Sequence, residues 1–246
     1  VTQLRELVIV IKGGGEMASA VACRLYMANL KKILMLETVN PLAVRRKVSF
    51  CEAVHGGNTT VEGVEAIRVD NPADIFKAWK HDYIAIAIDP QWHLLEEMHP
   101  DLVVDAILAK QNLGTRLQEG GLVIGLGPGF IAGSDVHLVI ETNRGHNLGR
   151  IITSGTAEPN TGIPGKIGGY AEERVLRAPS DGIFTARRSI GDHVEAGEVV
   201  GDVADAEVLA GIGGVIRGLI RSNAEVESGL KLGDIDPRGK EQYCSS

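Results

Sequence analysis

Cysteine is scarce in this chain. Cys23, Cys51 and Cys244 are the only three in 246 residues. An odd number at wide spacing builds no disulfide framework and matches no zinc-ligand pattern. Reduced thiols of a cytoplasmic protein are therefore expected, with no metal site. Long apolar runs are also missing. Segments such as 102–109 (LVVDAILA) are too short to span a bilayer and carry charge. The opening VTQLRELVIVIKGGG runs straight into a strand and lacks the layout of a signal peptide. No run is rich in lysine and arginine, and the formal net charge is -7. These features exclude a membrane role and a nucleic-acid partner. HExxH, GxSxG and EF-hand motifs are absent. Gly165-Lys166 is no phosphate-binding P-loop, because Asn160 and Ile167 stand where glycine and a hydroxyl residue are needed.

Hydrophobic residues make up 44% of the chain, enough for a sizeable core. Residues 7–12 (LVIVIK) form a β-branched apolar run that ends at glycines, the pattern of a buried strand. In 16–29, Ala18, Val21, Ala22, Leu25 and Tyr26 recur at helical spacing. Residues 32–37 (KILMLE) supply a second strand, so the chain opens as a βαβ unit. Strands are also predicted at 64–69, 83–88, 102–107 and 121–126, with a helix at 72–80. Alternation of this kind predicts an α/β fold with a Rossmann-like parallel sheet over residues 1–170. From about residue 130 the pattern changes to an alternating strand at 135–142 and a Gly/Pro-rich loop at 154–170.

The turn Gly13-Gly14-Gly15-Glu16-Met17-Ala18 matches G-x-G-x-x-G/A between a predicted strand and helix. Gly13 permits the tight turn, Gly15 admits a pyrophosphate, and Ala18 lets the helix approach the strand. The helix N-terminus offers N–H groups to phosphate. Glu37 closes the second strand, where an acid binds ribose hydroxyls. Arg45 and Arg46 follow soon after, as 2′-phosphate contacts or as a solvated helix face.

Residues 171–246 contain an internal repeat at an offset of 32. Ala178, Gly182 and Ile183 fall on Ala210, Gly214 and Val215. Val194, Gly197, Val200, Gly201 and Asp202 fall on Val226, Gly229, Leu232, Gly233 and Asp234. Two copies predict two halves of a small all-β barrel of lipoyl/biotinyl type. The segment joining them, 203–209 (VADAEVL), holds no lysine, so neither lipoate nor biotin is expected.

The densest polar cluster runs from Glu141 to Arg150 and contains Asn143, Arg144 and His146. It follows a predicted strand, as site loops of α/β proteins do. It is read either as a ligand crevice or as a turn with capping side chains. Asp89, Asp105, Lys110 and Asn112 lie at or near other strand ends and would face the same crevice.

Several segments together resemble the YqeB family. They are IKGGGEMASAVACRL, PLAVRRKVSFCEAV, VDAILAKQN, IGLGPGF, DVHLVIETNRGHNLGR, AEPNTGIPG and GDIDPR. Glu16-Met17-Ala18-Ser19 departs mildly from the family's Asp-Leu-Ala-Thr. The resemblance implies an accessory role in maturation of selenium-dependent molybdenum hydroxylases. The hydroxylase or its maturation proteins would be the partners, and homo-oligomerisation is left open. The first domain is also similar to XdhC-type accessory domains. The ligand implied at the glycine turn is molybdopterin dinucleotide or NAD(P). Two other readings stand beside this one: an NAD(P)-dependent oxidoreductase, and a docking module.

Overall fold

The computed structural model describes residues 4–245. They divide into two compact units: residues 4–41 with 49–161, and residues 42–48 with 162–245.

In the first unit the elements run β1 (Val8–Lys12), α1 (Glu16–Met27), β2 (Lys32–Glu37), α2 (Ala53–Gly56), β3 (Asn58–Val61) and β4 (Val64–Val69). They continue as α3 (Pro72–Lys80), β5 (Ile84–Ile88), α4 (Leu94–Met98), β6 (Leu102–Asp105), β7 (Leu122–Leu126), β8 (Leu138–Ile140) and β9 (Ile151–Ile152). All nine strands form one sheet in the order β3-β4-β5-β2-β1-β6-β7-β8-β9. β4 through β8 are parallel, while β3 and β9 pair antiparallel at the two edges.

The expectation of a Rossmann-like parallel sheet is therefore corrected: the sheet is large and mixed. Two local causes are visible. β3 and β4 form a hairpin around Glu62 and Gly63, both at positive φ, as a tight primed turn requires. Between β6 and β7, Leu108, Lys110 and Gly114 also take positive φ. A helix cannot pass through such residues, and only one 3-10 turn forms there, at Leu117–Glu119.

The central strands bury both faces, so they read as unbroken apolar runs. Val10, Leu34, Ala85, Val103 and Val123 join a core with Ile75, Ala78 and Trp79 of α3. Each buried Val, Leu or Ile among them contributes about 1.5–3 kcal/mol by leaving water. Trp79 also donates from Nε1 to the Ile33 carbonyl at 2.9 Å. α1 buries the small residues Ala18, Ser19, Ala22 and Cys23, a narrow face that permits close approach to the sheet.

The second unit comprises β10 (Val175–Arg177), β11 (Gly182–Ala186), β12 (His193–Val194), β13 (Val199–Val203), β14 (Ala206–Leu209), β15 (Gly214–Leu219), β16 (Ala224–Val226) and β17 (Lys231–Asp236). They form two separate four-stranded sheets, β10-β17-β15-β12 and β14-β13-β11-β16, with antiparallel pairing throughout. The expected lipoyl/biotinyl-type barrel is thus also corrected. Closure would need hydrogen bonds between the sheets, whereas each sheet ends on a free pair of edges. Register shifts at Leu176/Arg177, Ile216/Gly218 and Val199/Gly201 interrupt the ladders. An offset of 32 carries each strand of one sheet onto its counterpart in the other. The halves share one core, built on Phe184, Val200, Val203, Ile216, Leu219 and Leu232. Residues 42–48 lie against β15: Leu219 N donates to the Val44 carbonyl at 2.9 Å, and Arg46 Nε donates to the Leu219 carbonyl at 2.8 Å.

Candidate functional site

Parallel pairing places Ile88, Glu37, Lys12 and Asp105 along one edge of the sheet, at the carboxyl ends of β5, β2, β1 and β6. Loops at this edge of an open α/β sheet are where ligands bind.

The glycine turn has two distinct halves. Gly13 takes φ +93 and donates to the Leu36 carbonyl at 2.8 Å. Gly14 N donates to Glu37 Oε1 at 2.7 Å, and Glu37 Oε2 accepts from Thr38 N at 2.7 Å. Glu37 thus folds back onto backbone. Burial pushes its carboxyl up, against the two N–H groups that favour the charged form. The Gly14 carbonyl accepts from Cys51 N at 2.8 Å and Ser19 Oγ at 3.1 Å. A Cβ at Gly14 would press on Glu37, Cys51 and Ile86 at 3.0–3.1 Å.

Gly15 differs. A Cβ there would meet nothing within 4 Å. It is the N-cap of α1 and, as a glycine, brings no capping side chain of its own. Glu16 and Met17 are exposed, and Ala18 is buried against the sheet. The outward part of the turn is therefore Gly15–Met17.

Lys12, at the end of β1, escaped sequence reading and is fully buried. Its Nζ donates to Thr115 Oγ1 and Glu119 Oε2, both at 2.7 Å, and lies 3.6 Å from the centre of the Trp92 ring. Thr115 Oγ1 in turn donates to Asp105 Oδ2 at 2.6 Å. Burial lowers the Lys12 pKa, with Glu119 and Asp105 opposing. A lysine closing an otherwise apolar parallel strand, in VIVIK, was the available signal. Beside this network opens a cleft of about 1300 Å³, whose lining includes Trp92, His99, Asn112, Thr115, Arg116 and Glu119.

The other strand-end residues have structural duties. Asp89 is buried and accepts from Leu94 N at 2.8 Å, capping the start of α4. Asp105 also accepts from Ile107 N. Asn112 Oδ1 accepts from Gly114 N and Thr115 N. Lys110 is exposed. Arg45 and Arg46 fall in the second unit, where Arg45 donates to the Tyr243 carbonyl.

The 141–150 cluster is organised by two acids. Glu141, nearly fully buried, accepts from Asn143 N and Glu158 N, each at 2.7 Å. Glu158 accepts from the side-chain amides of Asn143 and Asn147, and these bonds hold its carboxyl below the usual range. Glu158 was also missed from sequence; it lies in the AEPNTGIPG loop. A cleft of about 380 Å³ here is lined by residues including Glu141, Asn147, Arg150 and Glu158. Asn143, Arg144 and His146 do not line it, and neither cleft includes the glycine turn. Arg144 and His146 are exposed. Among the described residues, no three or more His, Cys, Asp or Glu side chains group so as to hold a metal. No helix among them is long and apolar enough to cross a membrane.

No family model matches the chain. The uncharacterized protein YqeB of Escherichia coli strain K12 is 48% identical over 232 residues, 94% of this chain. The chain spans 43% of that relative's length. Among solved structures, an aspartoacylase family protein from Mesorhizobium loti overlaps 89% of this chain and 60% of its own, at 13% identity and TM-score 0.28. The product-bound ectoine utilization protein EutE (DoeB) from Ruegeria pomeroyi overlaps 89% and 62%, at 10% identity and TM-score 0.26. At those scores neither likeness supports an argument about activity.

Proposed function

We propose that this chain is a cytoplasmic accessory protein in maturation of a selenium-dependent molybdenum hydroxylase. In this reading it binds a phosphate-bearing ligand of molybdopterin-dinucleotide type at the Gly13–Ala18 turn. The role in maturation is supported by the family resemblance in ETNRGHNLGR and AEPNTGIPG. Binding at the turn is carried by one observation: Gly15 opens on empty space at the N-terminus of α1, beside the sheet's carboxyl edge. Backbone N–H groups and the helix dipole there favour an anion.

The position of Glu37 bears on the choice of ligand. Both of its oxygens already accept backbone N–H groups. The acid that would hold an NAD ribose is thus engaged in shaping the turn, which favours a ligand anchored by phosphate alone.

The role is tested by deleting the gene in a host that makes the hydroxylase, then restoring wild type or Gly15→Val. Wild type should restore hydroxylase activity and Gly15→Val should not, at equal protein level. Full activity in the deletion strain would overturn the proposal.

A further inference from the structure

The second unit holds an unusual concentration of positive charge around one acid. Asp234 Oδ2 accepts from Arg174 Nη1 at 3.2 Å, Arg217 Nη2 at 3.1 Å and Lys231 Nζ at 3.1 Å. Arg217 Nε also reaches Oδ1 at 3.2 Å. Asp236 lies close enough for Arg217 to help lower its pKa and is itself forked by Arg238, so four cations face two carboxylates. The contacts are long for charge-assisted bonds, which run at about 2.7–2.9 Å. Three donors share one oxygen, and the cations repel one another.

The internal repeat supplies a comparison within the same chain. Asp202 is the counterpart of Asp234, and it meets Arg187 alone in a fork of 2.6 and 2.7 Å. At the offset of 32, Arg217, Lys231 and Arg174 stand opposite Thr185, Val199 and Ala206, all of them neutral. The fold therefore forms around this carboxylate position without a triple cation cluster. Burial alone would push the Asp234 carboxyl up; Lys231 and Arg217 overcome this and hold it at about 2. Donor capacity remains as well. Arg217 Nη1 and two hydrogens of Lys231 Nζ make no protein hydrogen bond among the described residues. The Lys231 side chain is 39% exposed, so solutes reach this edge of the cluster.

We propose that Arg174, Arg217 and Lys231 form a binding site for a tetrahedral oxyanion, a phosphate or the phosphate group of a monoester. The anion offsets the surplus charge and takes the free donors of Arg217 and Lys231. Arg174, 3% exposed and tied to the Gly165 carbonyl at 3.2 Å, holds the inner side of the cluster.

The test is equilibrium dialysis with labelled inorganic phosphate at constant ionic strength set by chloride. Every protein carries Gly15→Val, so that the glycine turn does not contribute. Lys231→Gln changes a partly exposed residue and leaves the sheet intact. It should bind phosphate at least about fivefold more weakly, the loss of one charge-assisted bond. Asp234→Asn removes the competing carboxylate and should bind more tightly, with folding checked by circular dichroism. Glycerol phosphate competing for the site would place a monoester there; inorganic phosphate alone would place the free ion. No saturable phosphate binding at millimolar concentration, or equal binding by the parent and Lys231→Gln, would overturn the site.

Discussion

Lys12 is fully buried, and its ammonium is satisfied by Thr115, Glu119 and the face of Trp92. Removing one member of a buried charge pair leaves the other uncompensated. Lys12→Met keeps the volume but strands Glu119 beside Asp105. Stability should fall by about 3 kcal/mol, read as a lower urea midpoint. A change below about 0.5 kcal/mol would show that the pair carries no weight. Asp234 sets a pH dependence. Its folded pKa, about 2, lies below the ordinary 3.8. Its ionised form therefore adds stability that is fully present above the ordinary value and lost as pH falls through about 2. That contribution is about 2 kcal/mol. Acid titration of wild type against Asp234→Asn should show the two stability curves converging between about pH 4 and pH 2. Parallel curves would contradict it. At this scale the sequence was partly legible. Glu37, Asp89 and Asp105 were singled out for standing at strand ends, and they do stand there. Their hydrogen bonds to backbone and to Thr115 were not legible, because partners more than a few residues away depend on the fold.

Among the elements, α3 shows local rules acting unopposed. Asn71 Oδ1 accepts from Asp74 N at 3.1 Å, and Pro72 occupies the first turn. Asn71→Ala should cost about 1 kcal/mol, measured by thermal or urea unfolding. No loss would mean that the cap is not formed in solution. Such elements are readable: β2, β4 and α3 occupy the predicted spans 32–37, 64–69 and 72–80. β3 was not predicted, since Asn58-Thr59-Thr60-Val61 is an exposed edge with little apolar patterning. Its clue was the turn at Glu62-Gly63. β9 has only two residues, too short for any period to register. The polar segment 141–150 sits between β8 and β9, and its acids bind backbone and amides. Arg144 and His146 there are exposed.

For the molecule as a whole, the repeat at an offset of 32 matches the exchange of two sheets. Topology was harder to read. Antiparallel edges and unclosed sheets depend on which strands find each other, and periodicity carries no such information. Residues 42–48 illustrate this: they lie early in the chain but count with the second unit. The proposed activity rests on the outward half of the glycine turn. Gly15 has φ -70 and ψ -173, ordinary extended backbone, and open space around its Cα. Gly15→Val should therefore fold as wild type does. Native mass spectrometry of both proteins, gently purified from a host making molybdopterin dinucleotide, is the most direct measurement. A molybdopterin-dinucleotide adduct on wild type that is absent from folded Gly15→Val is the predicted result. The same adduct on both proteins, or on neither, would contradict binding at the turn.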